Sequence, residues 1–280
     1  MKYLLHFIFI LVGWNAAAQN GALSAVGARG IAMGQTGVTF RDVNSLFGNQ
    51  AGLAHLEQFA GLAFAERRFL LEEIQSFSFG AAYPTRSGTF GLALNYFGFE
   101  AYNEQRIGLA YGRKLFERFS IGAQFLLLNT RIPDYGSKAA LTFELGVLAE
   151  LIPQLNIGVH VYSPARVSIT EDAYLPTVLR IGLNYLPSDN LSLMAEVEKD
   201  IDYAARTKVG VEYKIAPPLA LRLGVATQPT SLSFGLGYLL SNGLSLDIAS
   251  SYHQVLGFTP AAGVSYGLGR EKAGGSVSGF

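Results

Sequence analysis

From about Glu57 to residue 269 apolar side chains alternate with polar or small ones, and a period of two confines a chain to extended strands. Fourteen segments carry the pattern, at about 57–69, 74–84, 88–98, 104–114, 119–130, 138–151, 155–163, 176–186, 190–199, 205–215, 218–227, 231–240, 243–253 and 258–269. In one of them Leu141, Phe143, Leu145, Val147 and Ala149 interleave with Thr142, Glu144, Gly146, Leu148 and Glu150. In others Leu191, Leu193, Ala195 and Val197 interleave with Ser192, Met194, Glu196 and Glu198, and Val209, Val211, Tyr213 and Ile215 with Lys208, Gly210, Glu212 and Lys214. One strand face is apolar and the other polar or small. About ten residues is also the length with which a tilted β-strand crosses a bilayer.

A second regularity lies on the even-numbered segments, where an apolar residue and a Gly are followed three positions later by Tyr. Phe79-Gly80 precedes Tyr83, Ile107-Gly108 precedes Tyr111, Ile181-Gly182 precedes Tyr185, Val209-Gly210 precedes Tyr213, Phe234-Gly235 precedes Tyr238, and Ala262-Gly263 precedes Tyr266. Segment six keeps Leu145-Gly146 but has Ala149 in the Tyr position. In a strand, residues three apart point to opposite faces, so the Gly faces inward and the Tyr outward. Outward Tyr at one height is an interfacial girdle. Packing aromatics of a soluble sandwich or propeller would give a similar repeat. The start of the chain favours the membrane: Lys2, the apolar run Leu4 to Val12 and Ala16-Ala17-Ala18 form a secretory signal over residues 1–18, its apolar part too short for a spanning helix.

Connections after even segments are short and rich in turn formers, as in Thr85-Arg86-Ser87, Pro187-Ser188-Asp189 and Ser241-Asn242-Gly243. Several after odd segments read as longer, notably Phe99 to Asn103, Arg131 to Ser137 and Pro164 to Leu175. Short periplasmic turns alternating with longer outer loops place both termini in the periplasm of a Gram-negative cell. The expected fold class is all-β, a 14-stranded antiparallel transmembrane β-barrel over 57–270 with a plug- or hatch-like segment at 19–56. A Gly- and Ser-rich tail, 271–280, follows, and either Tyr266 or Phe280 serves as the terminal aromatic of the last strand.

Residues 20–56 do not alternate. Gly27-Ala28-Arg29 through Met33-Gly34, then Asn49, Ala51, Gly52 and Leu53, resemble the N-terminal region of FadL-type outer-membrane transporters and of the PorV and PorQ group linked to type IX secretion. Gln50 stands where those families usually carry Pro. The resemblance implies a fourteen-strand barrel and two roles. One is a non-enzymatic accessory or structural component of type IX secretion or surface-protein handling, with envelope or secretion proteins as partners. The modest loop length favours this side. The other is a FadL-like passive transporter, with a hydrophobic small molecule as partner and Phe97, Phe99, Leu256 and Phe258 near the rims. A general porin is a third, weaker reading.

Little in the chain points to catalysis. With 21 basic against 21 acidic residues there is no electrostatic footprint for nucleic acid, and without cysteine there is no thiol or disulfide chemistry. His55, His160 and His253 are far apart in sequence and lack metal-ligand spacing. Gly263-Val264-Ser265-Tyr266-Gly267 matches the nucleophile-elbow string, but no helix follows it. No enzyme, cofactor or metal is therefore expected. The inward positions carry both signs of charge: Arg106, Glu144, Arg180, Glu196, Glu198, Lys208, Glu212, Lys214, Arg222 and Asp247. They form either a lined path or, as we favour, a mutually neutralised network that fills the lumen and holds the hatch.

Overall fold

The computed structural model describes residues 25–133, 136–170 and 173–267. The signal segment 1–18, the residues up to 24, the tail 271–280 and Phe280 lie outside the described residues. The barrel strands are Ala60–Arg67 (β1), Gln75–Thr85 (β2), Gly88–Phe99 (β3), Tyr102–Phe116 (β4), Phe119–Ile132 (β5), Gly136–Ile152 (β6) and Leu155–Tyr162 (β7). After a two-stranded hairpin of Ser168–Thr170 (β8) and Ala173–Tyr174 (β9) come Val178–Ser188 (β10), Leu191–Asp200 (β11), Arg206–Ala216 (β12) and Leu219–Ala226 (β13). Ser231–Leu239 (β14), Leu244–His253 (β15) and Gly257–Tyr266 (β16) complete the chain. Among the described residues fourteen strands close into one antiparallel barrel, sealed where Gly61 of β1 pairs with Tyr266 of β16.

The alternation read from the sequence sorts the side chains as expected. On β10, Val178, Arg180, Gly182 and Asn184 are buried inside, while Leu179, Ile181, Leu183 and Tyr185 are exposed outside. The outer surface is apolar in a way water does not tolerate: Phe125 and Leu141 are 71% and 70% exposed, and Leu109, Leu223 and Ile248 also project outward. Such a band is what a bilayer covers. Among the described residues no helix is long and apolar enough to cross a membrane, so any crossing is made by strands. Tyr83, Tyr111, Tyr185, Tyr213, Tyr238 and Tyr266 all lie outside, near the rim of short turns.

Two loop expectations are corrected. β3 and β4 pair as far as Phe99 with Tyr102, so the connection expected from Phe99 to Asn103 is a two-residue turn beside Gly98, whose φ is +105°. Likewise β5 and β6 pair to Ile132 with Gly136, which absorbs most of the stretch expected as a loop from Arg131 to Ser137. The connection through Pro164 to Leu175 is long as expected, and it carries the β8–β9 hairpin.

Residues 25–56 lie inside the barrel, buried or half-buried throughout. They form a short helix, Gly27–Ala32 (α1), and two 3-10 helices, Val43–Phe47 and Gln50–His55. Asp42 caps the first 3-10 helix by accepting from the Asn44 N–H, and Asn49 caps the second by accepting from the Ala51 N–H. Ala28, Ile31, Val43, Leu46 and Leu53 pack against wall residues Leu62, Phe64, Ala93, Ala249 and Ala261. A fourteen-strand barrel is too wide for wall side chains alone to fill, and this segment occupies the space.

The inward glycines are the points of closest approach. A Cβ on Gly224 would lie 2.0 Å from the Gly34 nitrogen, and one on Gly122 would lie 2.2 Å from the Ala51 nitrogen. Gly80, Gly91, Gly112, Gly146, Gly158, Gly182, Gly210 and Gly235 face the same segment within similarly short distances. At Gly112, Gly122, Gly158, Gly210 and Gly224 the wall meets the backbone of the segment, and at Gly80, Gly91, Gly146, Gly182 and Gly235 it meets its side chains, with no room for a wall side chain between.

Overpacking at such a contact costs about 1–3 kcal/mol. Gly224→Val is therefore expected to leave the barrel closed, seen as retained heat-modifiable mobility in detergent gels, while the protection of residues 25–56 from protease falls about tenfold or more. Unchanged protection would mean that the segment does not sit on this wall.

Candidate functional site

The site is the barrel interior where the N-terminal segment meets the charged wall. The residues expected to matter in that segment come together, each for a local reason. Gly27 has φ +71°, and a Cβ there would lie 2.1 Å from Asn44 Oδ1; on Gly52 it would lie 2.0 Å from the Phe40 carbonyl oxygen. Met33 and Gly34 sit against Gly210 and Gly224. Asn49 donates to the carbonyls of Val38 at 2.8 Å and Val147 at 3.0 Å, joining two parts of the segment to β6.

Arg29 is the segment's principal electrostatic tie. It donates from Nε to Glu212 Oε2 at 2.9 Å and from Nη2 to Glu212 Oε1 at 2.7 Å, a two-pronged contact, and from Nη1 to Asp42 at 2.6 Å. Arg222 donates to the same Glu212 at 2.5 Å and also to Asp247, so segment and wall form one chain of charges, Asp42–Arg29–Glu212–Arg222–Asp247. Burial disfavours the Arg29 cation, but Glu212 and Asp42 more than offset it and hold the guanidinium above its ordinary range. Its face also lies 4.7 Å from the Phe40 ring centre.

A second network lies farther round the wall. Lys208 bridges Glu196 at 3.0 Å and Glu198 at 2.7 Å, and Arg180 donates to Glu198 at 2.9 Å. Glu196 also accepts from the backbone N–H groups of Gly37 and Val38. A third group joins Gln50 to Glu144 at 2.6 Å and to Gln124 at 3.0 Å, with His160 Nε2 3.1 Å from the same carboxylate of Glu144. The inward charges Glu144, Arg180, Glu196, Lys208, Glu212, Arg222 and Asp247 are all buried, and they divide into these three clusters rather than one continuous network. Arg106 pairs with Glu104 at 3.1 Å.

Reading the sequence missed Asp42, Gln124 and Arg41, which pairs with Glu150 and donates to Asn156. Only Asp42 left a signal, as an acidic residue just before a helix start. Gln50 was noted for departing from Pro; here its side chain ties the segment to the wall. Phe97 is not part of an outer girdle: it lies opposite the inward Ser76 and Glu104, with the Arg68 guanidinium 5.3 Å from its ring centre. Phe258 does face outward, against Tyr252. His55, His160 and His253 are apart, and no cluster of three potential metal-ligating side chains occurs among the described residues.

Beside Leu46 and Phe47 a small recess remains, with a free volume of about 30 Å³, room for a water molecule. Leu46, Phe47, Leu126, Arg106, His160 and Tyr162 are among the residues that line it.

No protein-family model matches the chain, and no curated protein matches it by sequence. Solved structures do share its fold. The toluene transporter TbuX of Ralstonia pickettii aligns with a TM-score of 0.71 at 13% identity, over 88% of this chain and 99% of the other. The monoaromatic hydrocarbon channel CymD aligns at 0.70 and 14%, over 88% and 98%. A FadL homologue of Pseudomonas aeruginosa aligns at 0.61 and 13%, over 86% and 98%. The chain has the fold of the FadL-type outer-membrane channels.

Arg29→Met leaves Glu212 and Asp247 sharing Arg222 and takes from Asp42 the cation it pairs with. Removing one partner of such a group is expected to weaken the seating of residues 25–56 by about 3 kcal/mol, read as faster hydrogen exchange in the segment. His55 reports a pH effect. Burial, then the nearby charges of Arg41 and Lys114, push its pKa from 6.5 to about 3. Between those values the unseated imidazole binds a proton that the seated one does not, so seating weakens as pH falls below 6.5 and is insensitive above it. His55→Gln is expected to flatten the exchange profile of the segment between about pH 6.5 and 5; an unchanged profile would assign the dependence elsewhere.

Proposed function

We propose that this protein is a non-enzymatic barrel of the Gram-negative outer membrane that admits small hydrophobic molecules, with residues 25–56 as the hatch of its lumen. The observation that carries the reading is the seat itself. A segment with no disulfide to the wall fills the barrel and is held there by hydrogen bonds, ion pairs and glycine contacts, all of which can be broken and remade. The fold shared with a toluene transporter and a monoaromatic hydrocarbon channel supports it. The apolar outer band and the tyrosines beside the short turns fit a bilayer, with those turns and both termini on the periplasmic side. Nothing in the comparisons supports the expected role in type IX secretion, and we do not carry that role forward.

A charge-balanced interior suits this use better than ion conduction, since selective ion passage favours an excess of one sign. Most lumen carboxylates already have cationic partners on the wall or the segment.

The measurement is entry of radiolabelled toluene into Gram-negative cells that lack their own carrier and keep an intact lipopolysaccharide leaflet. Expression of the protein is expected to raise the initial uptake rate severalfold and to leave uptake of a small sugar unchanged. Equal rates with and without the protein would remove the transport reading.

A further inference from the structure

Polar side chains gather on the outer wall near the rim of long connections. Gln105 on β4, Asn129 and Arg131 on β5 and Ser137 on β6 line an open recess with a free volume of about 420 Å³, together with Ile132 and Pro133. Strand register fixes which way they point. Asn103, Arg131 and Ser137 pair in one row and Gln105 with Asn129 in the next, and the row after that is Ile107, Leu127 and Leu141, all exposed on the outer surface. Paired residues and residues two apart share a face, so the polar rows also look outward, with the leucines directly below them.

Height follows from Tyr111, which lies on the same face of β4 near the short turns. A strand rises about 3.3 Å per residue and barrel strands tilt by about 40°, so the climb from Tyr111 to Asn103 is roughly 20 Å along the membrane normal. The apolar band of such a barrel is about 25 Å tall. Asn103, Arg131 and Ser137 therefore stand at its upper edge, level with lipid headgroups, while Leu127 and Leu141 lie beside acyl chains.

The chemistry of the recess is that of a cation among neutral polar groups. Among the described residues Arg131 has no carboxylate partner, and neither Asn129 nor Ser137 makes a side-chain hydrogen bond. Glu104, next to Asn103, points inward and accepts from Tyr102 at 2.7 Å and from Arg106 at 3.1 Å. Gln105 donates to Asn103 at 3.2 Å, which leaves its own carbonyl oxygen to accept. A guanidinium offers paired donors to a phosphate, and amides and a hydroxyl both give and take hydrogen bonds as sugar hydroxyls do. Water alone would satisfy the amides. A lipid also meets the cation and covers the leucines beneath it.

We infer that this recess holds the headgroup of a phosphorylated glycolipid of the outer leaflet, with a phosphate on Arg131, sugar hydroxyls on Gln105, Asn129 and Ser137, and an acyl chain along Leu127 and Leu141. It rests on the membrane orientation given above and is independent of transport.

Native mass spectrometry of the full mature chain in a non-ionic detergent, titrated with bisphosphorylated lipid A, is expected to show one lipid retained per barrel. Phosphatidylglycerol, which is anionic but carries no sugar, is expected to be held at least tenfold more weakly. Arg131→Gln is expected to weaken lipid A about tenfold, and Asn129→Trp, which fills the recess and leaves the cation, at least as much. Lys199→Gln removes an exposed outward cation on β11 and is expected to change nothing. Heat-modifiable gel mobility identifies closed barrels; should one recess variant fail it, the other decides. No retained lipid A, phosphatidylglycerol held equally well, displacement of the lipid by millimolar inorganic phosphate, or an equal loss with Lys199→Gln would each overturn the inference. Toluene entry is read in a separate assay, so either reading can fail while the other stands.

Discussion

The close approach of the N-terminal segment to the glycines of the inner wall is the constraint on which the rest of the structure depends. A barrel of fourteen strands encloses more space than inward side chains can fill. The wall solves half of this by carrying glycine at the level where the segment passes, and the segment solves the other half by folding into one short helix and two 3-10 helices. Each needs the other. Without the segment the glycines would leave exposed backbone around a wide cavity, and with larger wall residues the segment would have nowhere to lie.

Charge decides how tightly that seat holds. A buried ion pair gains little net stability over an apolar contact of the same shape, because desolvating both ions costs about as much as their attraction returns. What such pairs supply is position. Arg29 meets Glu212 with two donors in a fixed plane, which sets the rotation of α1 against β12 in a way that alanine and glycine packing alone cannot. Glu196 does the same for the turn at Gly37 and Val38 by taking both backbone N–H groups. A segment held by position-setting contacts of low net strength is suited to leaving its seat and returning to one register.

The strands were legible from period alone because membrane and lumen impose opposite demands on successive residues, and the fourteen barrel strands fall where the alternation falls. The six tyrosines and their glycines were visible as a repeat. The physical reason for glycine was not, since it lies in contacts between Gly224 and Gly34 or Gly122 and Ala51, far apart in sequence. Loop lengths misled at Phe99 to Asn103 and at Arg131 to Ser137, where polar residues mark strand ends that extend beyond the apolar band rather than loops. Gln50 shows the limit most clearly. As a string it is a mismatch to Pro; in three dimensions it is the residue that joins the segment to Glu144 and Gln124, and no local pattern encodes partners 94 and 74 residues away.

The wall the segment covers is uneven, and this bears on what can pass it. Across β15, β16, β1, β2 and β3 the apolar face of α1 and of the Val43–Phe47 turn packs on Leu62, Phe64, Ala93, Ala249 and Ala261, set among the inward Ser76, Ser78, Asn95 and Asp247. From β4 round to β14 paired ions and amides are interspersed with the buried apolar side chains Leu126, Leu128, Leu148, Tyr162 and Val178. A hydrocarbon moving along the first half would meet surface like that of the segment it displaces. On the second half it would have to strip carboxylates of their partners, a cost that grows as water is excluded.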